Sequence, residues 1–170
     1  MSNTIFENEF LDIQEKDGYI SINDRDSVQV FCYDSSTKKI LVRKEVRPLW
    51  NIDPYDGLSY CALTGTIEEG DSVSKTVMKE LYEEAGIYCN DFSKFLNLGV
   101  TYKSKFQSSR QFNYAFDCNG MKCIKPIGDG SNDESKSKNF WLDSFEVFKL
   151  KDQNFATSLY KLEKLHQIYL

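Results

Sequence analysis

A chain of 170 residues with a formal net charge of −5 and one histidine excludes several classes of protein at once. The acidic balance argues against a general nucleic-acid binder, which needs a basic face to neutralise phosphates, and no apolar run approaches the roughly 18 residues of a membrane span. A lone histidine, His166, rules out most Ser-His-Asp, Cys-His and multi-histidine metal chemistries, so catalysis would have to come from carboxylates and a metal ion.

Residues 4 to 23 read as a β-hairpin. Ile5, Phe6, Phe10, Leu11 and Ile13 form the first strand, Lys16-Asp17-Gly18 the turn, and Tyr19, Ile20 and Ile22 the return. Its own core is small, so it must pack on the main body or on a partner subunit. Ser27 to Tyr33 is a β-branched and aromatic strand, Asp34 to Lys38 a turn, and Ile40 to Val46 the next strand. The charges in its second half, Arg43 and Lys44, read as a solvent-facing strand end. The loop from Leu49 to Gly57 carries Trp50 and Tyr55, which either stack a base or cover the core. Leu58 to Leu63 is the strand that delivers the chain into the segment around which everything else is arranged.

That segment, Gly65 to Ile87, reads GTIEEGDSVSKTVMKELYEEAGI. A turn from Gly65 to Gly70 leads into a helix over Val73–Ala85. Asp71 or Ser72 serves as N-cap and Gly86 as the stop. Val73, Val77, Leu81 and Ala85 form its buried stripe. Glu80, Glu83 and Glu84, at i, i+3 and i+4, share a face with Lys79 beside them. Three neighbouring carboxylates repel one another. Either the face is simply solvated, or a hard divalent cation such as Mg²⁺ or Mn²⁺ relieves the repulsion.

After this helix, Phe95 to Tyr102 is a strand interrupted by Gly99, and Lys103 to Arg110 a polar, basic loop. In the strand Gln111 to Cys118, Phe112, Tyr114 and Phe116 point one way and Gln111, Asn113, Ala115 and Asp117 the other. Met121 to Ile127 is a further short strand. Residues 128 to 138 have the composition of a mobile surface loop, with Asp133 and Glu134 in it. Phe140, Trp141 and Leu142 return the chain to the sheet. Phe155 to Leu170 closes the fold as an amphipathic helix through Leu159, Leu162, Leu165 and Ile168. The length suits one domain spanning residues 1–170, with 1–23 as an N-terminal extension. Five cysteines (Cys32, Cys61, Cys89, Cys118 and Cys123), odd in number and without a CxxC pair, read as buried or free thiols. The N-terminal residues lack the apolar stretch of a signal peptide, which points to the cytosol.

The 65–87 segment resembles the Nudix box, G-x5-E-x7-R-E-U-x-E-E-x-G-U with U a bulky aliphatic residue. Gly65, Glu80, Leu81, Glu83, Glu84, Gly86 and Ile87 fall in register. Asp71 stands where the family has Glu, Lys79 where it has Arg, and Thr64 where a glycine often precedes the box. The resemblance implies an α/β/α sandwich with a mixed sheet. It also implies Mg²⁺- or Mn²⁺-dependent hydrolysis of a nucleoside diphosphate linked to another moiety, giving a nucleoside monophosphate and a phosphorylated product. Carried onto this sequence, Glu80 and Glu84 hold the metal with a backbone carbonyl of Gly65 or Thr64, and Glu83 joins them or binds a second ion. Lys79 orients the acids, and Asp71 supports Lys79. The general base is Glu80, Glu83 or an acid from the 128–138 loop, where Asp133 and Glu134 occupy the place of an extra family carboxylate. Glu45-Val46-Arg47-Pro48 is similar to the Q-x-R strand end of ADP-ribose-type members, which puts Arg47 near the substrate. With the N-terminal extension, through which such enzymes often dimerise, this ranks ADP-ribose and ADP-sugars first as substrates. Oxidised nucleoside triphosphates, dinucleoside polyphosphates and a capped RNA end stay open. So does a different class, a catalytically weak domain that binds a nucleotide as a sensor or scaffold, suggested by the changes at Asp71 and Lys79.

Overall fold

The computed structural model of the chain describes residues 2–8, 11–46, 58–102, 104, 106–128, 136–150 and 152–170. In order these contain β1 (Ser2–Glu7), β2 (Leu11–Lys16), β3 (Tyr19–Asp24), β4 (Ser27–Asp34), β5 (Lys39–Val46), β6 (Leu58–Cys61) and β7 (Leu63–Thr66). Then follow α1 (Val73–Ala85), β8 (Phe95–Tyr102), β9 (Arg110–Asp117), β10 (Lys138–Asp143), α2 (Ser144–Phe148) and α3 (Gln153–His166).

β1, β2 and β3 form a separate antiparallel sheet. The expected N-terminal hairpin is the β2–β3 pair, closed by Asp17 and Gly18, both at positive φ as this tight turn demands. The stretch read as one long first strand is two strands. Asn8 reverses the chain: its side chain accepts from the Leu11 N–H (2.8 Å), and its own N–H donates to the Leu11 carbonyl (2.9 Å). Phe10, assigned to that strand, lies outside the described residues.

The main sheet has seven strands in the order β10-β5-β4-β9-β8, with β6 paired to β5 and β7 to β4. It is mixed, since β4 and β9 are parallel and the other pairs antiparallel. β4 is buried on both faces. Val28, Val30 and Cys32 join Val77, Leu81 and Ala85 of α1, while Phe31 and Tyr33 join Phe155, Leu159 and Leu162 of α3. β9 divides in the same way, with Phe112, Tyr114 and Phe116 on the α1 side and Ala115 on the other. Helices on both faces of a mixed sheet make the α/β/α sandwich.

β4 and β5 pair with each other only at Tyr33–Ile40 and Asp34–Lys39, and then diverge. β6 fills the fork on the β5 side (Leu58–Cys61 against Val46–Arg43) and β7 on the β4 side (Leu63–Thr66 against Val30–Ser27). The expected single strand from Leu58 to Leu63 is therefore two, changing partner at the buried Ala62. This fork fixes how the chain enters the turn before α1. Two smaller expectations also differ. Met121–Ile127 contributes only one bridge, Cys123 to Ile87. α3 ends at His166, where Gln167 turns left-handed (φ 57°), so Leu165 is exposed while Ile168 packs beyond the helix end. The Nε2 of His166 lies 3.2 Å from the Asn97 carbonyl of β8. All five cysteines are free, with only Cys123 exposed. Among the described residues no helix is long and apolar enough to cross a membrane.

Candidate active site

The site is built where α1 crosses the fork. The Ser72 hydroxyl caps the helix by accepting from the Lys75 N–H (3.2 Å), and Gly86 ends it with φ 68° and an N–H returned to the last turn. Between these caps Val77, Leu81 and Ala85 seat α1 on the sheet. That rotation turns Glu80 and Glu84 inward as well, and both are buried. The Thr64 N–H of β7 donates to Glu84 Oε2 (3.0 Å). Glu80 lies against Gly65 so closely that a Cβ there would sit 2.0 Å from its Oε1. The glycine that opens the motif is thus the space into which a carboxylate fits.

Arg43 does not face solvent. It is 3% exposed, and its Nε lies 2.9 Å from Glu84 Oε1 and 3.0 Å from Glu45 Oε1. The expectation of a solvated strand end fails because Leu41, Arg43 and Glu45 alternate onto the α1 side of β5, whereas Ile40 and Val42 face α3. Arg43 Nη1 also reaches the Glu84 carbonyl (3.4 Å), and Asn139 Nδ2 of β10 donates to the same oxygen (2.7 Å). Neither Arg43 nor Asn139 stood out in the sequence as a site residue. Burial pushes the Glu84 carboxyl up to about 8. Arg43 opposes that rise, Glu80 and Glu45 add to it, and the Thr64 N–H opposes it.

The remaining motif residues divide. Glu83 points outward from the buried pair and meets Lys79 at 3.5 Å. Lys79 is about half exposed; burial works to lower its pKa, but Glu83 and Glu80 outweigh this and raise it. Asp71 pairs with Lys75, one helical turn on, rather than directly with Lys79. Among the described residues no three His, Cys, Asp or Glu side chains converge closely enough to hold an ion. In kind, the donors suit a hard cation: two buried carboxylates one turn apart beside the Thr64–Gly65 backbone, in a cradle that a side chain at position 65 would fill. Arg47, Trp50 and Tyr55, expected at the substrate, and Asp133 and Glu134, expected as extra acids, lie outside the described residues.

A cleft of about 770 Å³ opens beside the acids. Glu83 and Arg43 line it together with Lys125, Lys138 and the rings of Phe140 and Trp141. Its outer wall, residues 123–128, is fastened to the end of α1. Ile124 N–H donates to the Gly86 carbonyl (2.9 Å) and Gly128 N–H to the Glu83 carbonyl (3.0 Å). Three cationic side chains, Arg43, Lys125 and Lys138, and two aromatic rings share its described lining with the Glu83 carboxylate.

A mixed sheet between helices thus carries a glycine turn packed on buried glutamates, with a cleft beside it. The family model for the NUDIX domain matches residues 23–162, and the chain belongs to that family. Its members are pyrophosphohydrolases that act on nucleoside diphosphate derivatives and generally use a divalent metal such as Mg²⁺ or Mn²⁺. The match begins at the end of β3, so most of the small N-terminal sheet lies before it. A search of curated proteins found no match.

Proposed function

We propose that this protein is a metal-dependent pyrophosphohydrolase of ADP-ribose or an ADP-sugar, acting through Glu80, Glu83 and Glu84 in a single catalytic domain with an N-terminal β extension. The observation that carries the reading is the burial of Glu80 and Glu84 side by side against Thr64 and Gly65. Two adjacent carboxylates in a dry site repel one another, the Arg43 guanidinium that meets Glu84 is shared with Glu45, and a divalent cation held by both carboxylates removes the repulsion. Mg²⁺ or Mn²⁺ would be held by Glu80 and Glu84, with a backbone carbonyl of Gly65 or Thr64 as a further donor. When bound, the ion supplies charge neutralisation of the pyrophosphate, polarisation of the P–O bond and a more acidic water.

The chain's own residues do the rest. Glu83, which lines the cleft, accepts the proton of the attacking water. Lys79, 3.5 Å away, partly offsets the charge of Glu83. Lys125 and Lys138 draw the anionic substrate into the cleft. The cleft volume lies in the range for a ligand of nucleotide size. The N-terminal sheet and the Arg47 strand end favour the ADP-ribose group within the family. A homodimer through the N-terminal sheet is favoured by the exposed Ile5, Phe6, Tyr19 and Ile20; light scattering giving a monomer mass at micromolar concentration would refute it.

A second reading, a nucleotide-binding sensor with little turnover, is favoured by the Asp71–Lys75 pair and by the engagement of both Glu84 carboxylate oxygens with protein donors. One experiment separates the two. ADP-ribose, ADP-glucose, NADH, a dinucleoside tetraphosphate, 8-oxo-dGTP and a capped RNA are incubated with Mg²⁺ or Mn²⁺, and phosphatase then releases phosphate from the monoester products. Turnover of ADP-ribose or ADP-glucose that is lost in Glu84→Gln is the expected result. Binding without turnover on the whole panel would move the sensor reading to first place.

A further inference from the structure

We infer that Arg43 is the positioning residue for Glu84, doing from strand β5 the orienting work that the helix position held by Lys79 does not do. The inference rests on the proposed metal-binding role of Glu84. Every oxygen of that glutamate is held by a donor from the sheet. Arg43 Nε lies 2.9 Å from Oε1, the Thr64 N–H 3.0 Å from Oε2, and the carbonyl takes Asn139 Nδ2 at 2.7 Å and Arg43 Nη1 at 3.4 Å. Lys79 has no comparable hold. Its closest ion pair is Glu83 at 3.5 Å, one turn along the same helix and half in solvent, a kind of pair that fixes little.

The two cations also differ in rigidity. The Arg43 backbone is paired on both sides, to Asn139 of β10 and to Cys61 of β6. Its side chain and that of Glu84 are each 4% exposed. A planar guanidinium presents donors in fixed directions and spans Glu45 and Glu84 at once, whereas an ammonium on a flexible stem is a point charge. A ligand carboxylate must be held in one rotamer if it is to meet an ion without reorganising, and buried partners behind a ligand perform that task in metal sites generally. Glu45 in turn holds Arg43, so the orientation runs from the sheet, through Glu45 and Arg43, to Glu84.

The test is Mn²⁺ titration of the full chain, followed by the paramagnetic resonance of free aquo-Mn²⁺. It compares wild type, Arg43→Lys, Arg43→Met and Lys79→Met, with thermal melts for folding and kcat and KM on the substrate the panel identifies. Arg43→Lys keeps the charge and loses the fork. It is expected to stay folded, to weaken Mn²⁺ binding about tenfold and to lower kcat with little change in KM. Arg43→Met, where it folds, should lose at least as much, and Lys79→Met less than Arg43→Lys. A loss below about threefold in Arg43→Lys, an effect confined to KM, or a larger loss in Lys79→Met would each overturn the inference while leaving Mn²⁺ binding by wild type intact. Absence of Mn²⁺ binding by wild type would overturn the metal reading and this inference with it, so the two failures are told apart.

Discussion

Gly65→Ala is a direct test of how the site is assembled. A methyl group at this position would sit 2.0 Å from Glu80 Oε1, 2.2 Å from its Cδ and 2.5 Å from its Cγ. Ordinary contact begins near roughly 3.5 Å, so the Glu80 carboxylate must withdraw by about 1.5 Å. The strand itself can accept alanine: Gly65 is not among the positive-φ glycines, and its pairing with Val28 in the β4–β7 ladder does not involve a side chain. The perturbation therefore falls on one carboxylate and not on the backbone. A misplacement on the order of 1 Å costs about 100-fold in rate, equivalent to about 2.7 kcal/mol of transition-state stabilisation.

The assay is kcat/KM on the identified substrate at saturating Mn²⁺, with a thermal melt to show that the fold survives. A double-mutant cycle sharpens it. Glu80→Asp removes the methylene that the new methyl group would strike, so Gly65→Ala should cost much less when combined with Glu80→Asp than it does in wild type. Two full and additive losses would mean that Gly65 and Glu80 do not act through contact. Activity within about threefold of wild type in Gly65→Ala would refute the reasoning altogether, because the overlap leaves Glu80 no way to stay where it is.

Three further outcomes are expected. Mn²⁺ at about 100 times its dissociation constant should stabilise the protein by about 2.7 kcal/mol, raising Tm by roughly 5–10 °C for a chain of this size; an unchanged Tm would count against an ion at Glu80 and Glu84. Gly86→Ala should destabilise by at least about 2 kcal/mol, because φ is 68° and the new Cβ would lie 2.1 Å from the Ile124 carbonyl oxygen, a backbone atom with little room to yield; a denaturant midpoint equal to wild type would contradict it. Burial, with Asp117 and Cys118 adding to it, raises Tyr33 from 10 to about 12. A group kept neutral in the fold gives stability that is fully present below the unfolded pKa and is lost as pH climbs through the folded one. Wild type should thus lose about 2–3 kcal/mol between about pH 10 and 12 that Tyr33→Phe does not lose, and parallel denaturant curves for the two proteins over that range would refute it.

What could be read from the sequence was whatever local rules decide. The bounds of α1 follow from Ser72 and Gly86, and the inward turn of Val77, Leu81 and Ala85 follows from a roughly 3.6-residue period, so helix and motif register were visible before any tertiary contact was known. The Asp71–Lys75 pair is equally local, an i,i+4 spacing that competes with Lys79 for the same carboxylate. The break at Asn8 carries no glycine or proline, because a side-chain oxygen does the work of the turn. The change of partner at Ala62 has no local signature, since it is imposed by the divergence of β4 from β5. Arg43 lay between these cases. Its two-residue offset from Leu41 placed it on the α1 face, but a charged residue near a strand end suggests solvent until the burial of Glu84 above it is known.

The charge balance connects that missed residue to the proposed chemistry. Glu45, Glu80, Glu83 and Glu84 gather around the end of α1, with Arg43 and Lys79 as their cationic partners. Among the described residues these four carboxylates crowd one end of the helix, and Glu80 and Glu84 are too buried to spread their charge into water. Protonation of Glu84, the direction in which burial drives it, eases this crowding by one charge. The proposed divalent cation would ease the same crowding by two charges and leave the carboxylates ionised. Arg43 spreads one positive charge over Glu84 and Glu45, which is what the proposed positioning role asks of it: enough charge to hold the ligand's geometry, and not enough to replace the ion.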